Sequence, residues 1–351
     1  MKMSSSIQTR LCRDLLVSLL IYALPPWMMF AFYWWRRELP WLHPAVLTQS
    51  GIFWRGYSLV NGDKFILFVL LLGLAEYTAG RYGEHWKGNE TVLDLVCFVL
   101  PKLVLLPFFT WFSLHALPVL LPRMHHAFAW VPFGWGLLML AVADDLSQYW
   151  YHRLHHEVPW LWRFHRTHHT APYMGVTLTR RQNVFYGLFF SPLYLTSALV
   201  YLGLGPAALA IHGIKTLITT LAHSSLPWDK FLYERKALHP IAWILERVIS
   251  TPATHHAHHA DTSDDGIGYY KGNFGNMFFL WDVLFSTAHI SRKYPKSYGV
   301  VHYEGDPWYV QLFWPVFKSR IAESELSVDG PILRTDTSVR ANAVNAVAGI
   351  D

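Results

Sequence analysis

Apolar residues come in membrane-length blocks over roughly the first two thirds of the chain, then give way to amphipathic patterning. The first block, residues 15–35, follows a polar start carrying Lys2, Arg10 and Arg13 and lacks a small-x-small cleavage site. It reads as a membrane helix interrupted at Pro25-Pro26 and closed by Arg36-Arg37. A loop rich in Trp, Gly and Pro runs to about Asp63. Residues 65–79 form a second block, short for a straight crossing, with Glu76 either near an interface or facing other helices. Residues 92–121 are broken by Pro101-Lys102 and Pro107, and fit either one tilted helix or a re-entrant pair. The fourth block is 131–151. The fifth, 184–212, is interrupted at Pro192 and at Gly203–Pro206, continues through 214–222, and reads as a helical hairpin dipping into a bilayer.

The pattern predicts an all-α protein: a multi-pass integral membrane helical bundle carrying a cytoplasm-facing, histidine-rich metal cap. Three regions follow, with N-terminal transmembrane segments over 1–130, a histidine-bearing domain over 131–322, which the resemblance given below makes the catalytic one, and a disordered tail over 323–351. If four segments cross before Tyr151, the N-terminus and the histidines share one side. Arg153, Arg163, Arg166, Arg180 and Arg181 mark that side as cytoplasmic, although Arg36, Arg37 and Arg55 then fall on the far side. No terminal retrieval signal is visible, which points to a bacterial inner membrane rather than the endoplasmic reticulum.

Composition agrees with a membrane protein. Apolar residues make up 52% of the 351 and charged ones 15%, too few for an ordinary soluble surface. The 17 Trp and 18 Tyr suit membrane–water interfaces. A net charge of +5 without a Lys/Arg-rich block points to anionic head groups and excludes nucleic acid as a partner. With only Cys12 and Cys97, one beside and one inside an apolar run, a disulfide framework is not expected and a thiolate metal site cannot be built. The anomaly is 20 histidines, so any metal must be held by imidazole and carboxylate.

Ten of these histidines fall in two stretches. His152, His155, His156, His165, His168 and His169 follow the fourth apolar block, and His255, His256, His258 and His259 lie further on. On a helix, residues three or four apart share a face. His152 and His156, then His165, His168 and His169, then His255, His258 and His259, therefore each aim two or three imidazoles at one point. Crowded neutral imidazoles each need a partner, and charged ones repel. The set exceeds the three or four ligands of one zinc, so two metal ions are the simpler reading. His43, His115, His125 and His126 read as loop or interfacial side chains.

The arrangement resembles the fatty acid hydroxylase/sterol desaturase superfamily of membrane non-haem diiron enzymes, whose HxxxH, HxxHH and HxxHH boxes match His152–His156, His165–His169 and His255–His259. The flanks agree: Asp145, Tyr149 and Tyr151-His152-Arg153 before the first box, Leu161-Trp162 before the second and Thr251-Pro252 before the third. Asn273-Phe274-Gly275-Asn276 and Trp281–Thr287 follow it. The similarity spans 141–288. The resemblance implies nine ligands: His152, His156, His165, His168, His169, His223, His255, His258 and His259. His239 is a candidate tenth, or a packing residue against Pro240. His212 leans to the core, and His155 and His256 sit inside boxes but off pattern. Asp145 and Asp282 are candidate acceptors fixing the tautomer of a ligand histidine, and Glu157 either supports a ligand or is a surface charge. Phe274 in place of Tyr, Ser286 in place of Gly and the long 261–272 insert are expected to reshape the substrate mouth rather than the metals.

The implied activity is O2-dependent hydroxylation of a lipid C–H bond, with two iron ions as cofactor and a fatty acyl chain or sterol as substrate. Desaturation, ether-lipid cleavage using tetrahydropterin (the alkylglycerol monooxygenase-like branch, which residues 156–158, 178–182 and His223 resemble most) and a non-catalytic metal-binding role are the alternatives. Electrons must come from an external reductase, ferredoxin or cytochrome, because the chain has no haem-binding HPGG motif, iron–sulfur cysteines or dinucleotide fingerprint.

Overall fold

The computed structural model describes residues 10, 13–18, 63–80, 88–300, 303 and 305–319. Most of the first apolar block, the loop to 62 and the tail 323–351 lie outside them, with the expectations made for those stretches. Among the described residues the chain is helical, with two isolated β-bridges, Ile249–Phe278 and Ala260–Tyr298, and no strand.

Helix α1, Asp63–Thr78, turns Leu67, Leu70, Leu71 and Leu74 outward and buries Glu76 completely. Glu76 Oε1 accepts from the Ser224 hydroxyl and Ser225 N–H, both at 2.7 Å, and Oε2 accepts from Val176 N–H at 3.2 Å. It therefore faces other segments rather than an interface. Helix α2, Asn89–Trp111, passes through a π-helical turn, Phe112–Ala116, into Leu117–Leu120. Every residue across these joins keeps right-handed helical dihedrals, so this block is one helical run and not a re-entrant pair.

Helix α3, Phe133–Glu157, is the central element. It runs past the apolar block without a break, so the first histidine box rides on the same helix. Val158, in an extended conformation, and Pro159 at the next helix's first position then force a corner. Helix α4, Pro159–His169, carries the second box back along α3. After short α5, Val184–Leu188, come α6, Ser191–Leu199, a π-helical turn, Val200–Leu204, and α7, Gly205–His223. The expected break is present: Gly203 has φ 108°, and a Cβ there would meet Ala129 N at 2.8 Å, so only glycine fits. Both α6 and α7 pack along α3 around Met139, Leu140, Leu199, Leu204, Ala208 and Ile211. Among the described residues one helical run, Val184–His223, is long and apolar enough to cross a membrane.

The remainder is short helices: α8, Lys230–Glu234; α9, His239–Val248; α10, Pro252–His258; α11, Leu280–Leu284; and α12, Trp308–Phe313. The Thr-Pro motif before the third box has a local cause. Thr251 and Thr254 form a reciprocal capping box, Pro252 presets the first helical residue, and Asp229 Oδ2 accepts from Ala253 N–H at 2.9 Å.

Three of the five arginines used to orient the chain are interior groups. Arg153 pairs with Asp14 at 2.8 Å and Glu157 at 2.9 Å, Arg166 with Asp306 at 3.5 Å, and Arg181 with Glu90 at 2.5 Å and Asp94 at 3.4 Å. Charge counting along a sequence cannot distinguish a buried ion pair from a headgroup-facing cation. These three do not carry the topology argument.

Candidate metal centre

Nine buried histidines meet in two adjoining groups. His152, His156, His165, His169 and His258 form one, and His168, His223, His255 and His259 the other; within each, one ring nitrogen per residue lies within 4.8 Å of all the rest. The groups share a wall, where the rings of His169 and His259 stack at 4.3 Å. These are the nine positions implied by the box pattern and the isolated His223, but the expectation that each box aims at one point fails: His168 parts from His165 and His169, and His258 from His255 and His259. His239 belongs to neither group. It is half-buried at the start of α9 and bonds through Nε2 to the Tyr233 carbonyl at 2.9 Å, away from both groups. His155 donates to the Tyr151 carbonyl at 2.7 Å, and His256 lies between the Tyr298 hydroxyl and the Ser224 carbonyl, so both off-pattern rings stay outside the groups.

Backbone carbonyls set four tautomers. A carbonyl can only accept, so Nδ1 carries the proton in His152 against Phe274 O at 2.7 Å and in His258 against Gly272 O at 2.7 Å. The same holds for His168 against Arg181 O at 3.1 Å and His223 against Thr219 O at 2.7 Å. Nε2 of each neutral ring is thereby left as a bare lone pair. In the first group the lone pairs of His152 and His258 face each other at 3.1 Å, and in the second those of His168 and His223 face at 3.2 Å. Two lone pairs at that distance repel unless a cation lies between them. A metal bonded to imidazole at about 2.1 Å holds neighbouring ligand nitrogens about 3 Å apart, which matches both pairs. Nε2 of His156 and of His259 is buried without a hydrogen-bond partner, as an unfilled ligand atom would be.

Protons are a poor substitute for the cation. Burial first, and neighbouring imidazoles second, hold His165, His169, His255 and His259 well below the ordinary histidine range. Burial pushes His258 down to about 3, against the opposing bond to Gly272. The residues present fit metal ions held by neutral imidazole.

The expected carboxylate roles need correction. Asp282 touches no histidine; it accepts from the N–H groups of Phe274 at 2.8 Å and Gly275 at 2.6 Å and from the Thr287 hydroxyl at 2.6 Å. It fixes the loop whose Phe274 carbonyl braces His152, and so acts one bond further out. Asp145 accepts from Phe278 N–H at 3.0 Å and Trp281 Nε1–H at 2.9 Å, tying the same loop to α3. Glu157 is held by Arg153 rather than by a histidine, and that arginine also bonds Tyr149 and Asp14. The departures at Phe274 and in the 261–272 insert do reach the centre. Phe274 is fully buried with its ring 5.4 Å from that of His156, and the insert ends on the carbonyl that braces His258.

Sequence reasoning missed Arg181. Its side chain is completely buried and bonds Thr167 O, Thr170, Gln311, Glu90 and Asp94, while its own carbonyl braces His168. Its position in the LTRRQ stretch was the available signal.

Residues 137–287 match the model of the fatty acid hydroxylase family. The chain is 28% identical over 263 residues to alkylglycerol monooxygenase of Danio rerio, covering 69% of this chain and 51% of that protein. It is 29% identical over 196 residues to the Xenopus tropicalis alkylglycerol monooxygenase, covering 53% and 39%. To ornithine lipid hydroxylase OlsE of Rhizobium tropici it is 27% identical over 222 residues, covering 59% and 61%. The chain thus spans less than two thirds of each relative, from 39% to 61%. No solved structure gives a significant match.

Proposed function

We propose that the chain is a membrane-bound, iron-dependent oxidoreductase that hydroxylates a C–H bond of a lipid with O2. Its ligands are His152, His156, His165, His169 and His258 for one iron and His168, His223, His255 and His259 for the other. The observation that carries this reading is the pair of facing Nε2 lone pairs, one in each group, at 3.1 and 3.2 Å. Bound iron supplies the activation of O2 with two electrons from an external donor; the protein's part is to hold, orient and exclude water. The carbonyls of Phe274, Gly272, Arg181 and Thr219 keep each Nδ1 protonated and each Nε2 aimed inward. Burial of all nine rings keeps bulk water out.

A membrane setting is supported by the outward leucines of α1 and by the apolar run Val184–His223. A lipid then reaches the centre from the bilayer side of α3, α6 and α7. The matches to two alkylglycerol monooxygenases favour one second reading, cleavage of an ether lipid at the same centre.

The test is expression with a reductase partner under 18O2, followed by lipid mass spectrometry. One labelled oxygen in a membrane lipid, lost in His258→Ala, is the expected result. A protein that binds iron and turns over the donor's electrons without altering any lipid would sink the proposal. A requirement for added tetrahydropterin would select the ether-lipid reading.

A further inference from the structure

Helix α9 is amphipathic in the reverse sense for a helix facing water. Its inner face carries Ala242 and Glu246, each 1% exposed, and Glu246 is held there by Arg247 at 2.7 Å and by Arg292 at 2.7 and 2.8 Å. Its outer face presents Ile241, Trp243, Ile244 and Val248, between 38% and 58% exposed. A helix packed on a soluble domain buries its apolar stripe and exposes its charge; here an acid is ion-paired inside and isoleucines stand outside. The surface continues on the neighbours. Helix α11, joined to α9 through the Val248 carbonyl and Phe279 N–H at 3.0 Å, exposes Leu280, Val283 and Leu284, and α8 exposes Phe231.

The rim of this surface is cationic. Lys230, Arg235 and Lys236 are exposed, against the single exposed acid Glu234. Arg235 lies over the Phe231 ring at 3.7 Å and Arg247 over the Trp243 ring at 4.3 Å, so two guanidinium groups sit where apolar surface meets solvent. At ten residues, about 15 Å, α9 is too short to cross a bilayer. Apolar side chains ringed by cations on a short helix match the boundary between acyl chains and anionic head groups.

We propose that α9, with α8 and α11, is an in-plane foot that seats on an anionic lipid surface. The inference rests on the membrane reading given above and adds a second, non-spanning contact with the bilayer. Its consequence for the site is direct. Helix α9 leads through Ile249 and Ser250 into α10, which carries His255, His258 and His259, and α11 carries Asp282, which fixes the loop bracing His152. Seating the foot sets the height of the metal centre above the lipid.

The experiment uses the full chain with Cys12→Ser, reconstituted in vesicles of phosphatidylcholine with and without phosphatidylglycerol. A fluorophore is placed at Ile244→Cys or, as an exposed control, at Asp264→Cys, in variants that retain their metal. The expected result is that the label at 244 is quenched by nitroxide-bearing lipid and shielded from iodide, with the reverse at 264. In phosphatidylglycerol vesicles, the double variant Arg235→Glu, Lys236→Glu lowers the lipid quenching at 244 at least about twofold, reflecting loss of headgroup attraction. A label at 244 that iodide reaches and lipid does not, on a chain that resists alkaline carbonate, overturns the foot and leaves the membrane reading intact. Shielding from both quenchers also overturns it, in favour of a protein partner or a second copy. Release of the chain by carbonate removes the membrane reading itself. Quenching unchanged by the charge reversals overturns the anionic part.

Discussion

The two histidine groups use the same ring chemistry but hang on different parts of the chain. In the five-ring group the braces come from far downstream, with Phe274 O on His152 and Gly272 O on His258, and Asp282 holds that loop in shape. In the four-ring group one brace is local to α7, Thr219 O on His223. The other is the carbonyl of Arg181, whose guanidinium is anchored on Glu90 and Asp94 of α2. One half of the centre therefore depends on a loop after the third box, and the other on a helix well before the first. A substitution remote from the rings should damage one group and spare the other.

The largest effect is expected from removing a facing lone pair. His258→Ala should abolish lipid oxidation and lower bound metal to that of the four-ring group alone; activity assays and metal analysis of the same preparation read both. Next comes Asp282→Ala, which leaves every ring in place but frees the loop. Loss of such an outer partner typically costs about 10–100-fold in metal affinity or activity. The comparison requires that loss to fall on the five-ring group, with absorption from the other retained. Arg181→Met should act in mirror image, weakening the four-ring group and destabilising the fold by roughly 3–5 kcal/mol, because buried Asp94 and half-buried Glu90 are left without their cation. Equal damage to both groups in either variant would break the comparison.

A smaller effect, common to both groups, follows from pH. In the folded, metal-free chain the rings of His165, His169, His255 and His259 are held neutral by burial, while the unfolded chain takes up protons below about 6.5. The unfolded state binds more protons there, so stability falls as pH is lowered from neutral. Each excluded proton costs about 1.4 kcal/mol per pH unit. Denaturant melts of apo-protein should show the loss; bound metal should raise stability at each pH without flattening the slope, because metal-held rings exclude the same protons. The smallest effect is expected at His239, whose bond to Tyr233 O lies outside both groups; His239→Ala should leave metal content unchanged.

The box histidines were legible in the sequence from their helical spacing and His223 from the family resemblance, but their division was not: His258 joins His152 and His156, while His255 and His259 join His168 and His223. The helical class and the break at Gly203 were legible for similar local reasons. The braces were not. A backbone carbonyl is present at every residue, so nothing marks Phe274, Gly272, Arg181 or Thr219 until the fold places them against a ring. The carboxylates misled in the same way: Asp145 and Asp282 stand beside box motifs, but their partners are N–H groups of a loop. Arg153, Arg166 and Arg181 read as membrane-orienting charges because burial is a property of packing, invisible to a charge count.

The central claim is that two adjoining histidine groups each hold one iron. The direct measurement is the metal content of purified full-length protein together with its Mössbauer spectrum after growth on 57Fe. Two irons per chain in nitrogen-rich sites are expected, with one iron remaining in His258→Ala. A single metal per chain in the unaltered protein, or two irons that survive His258→Ala, would contradict it.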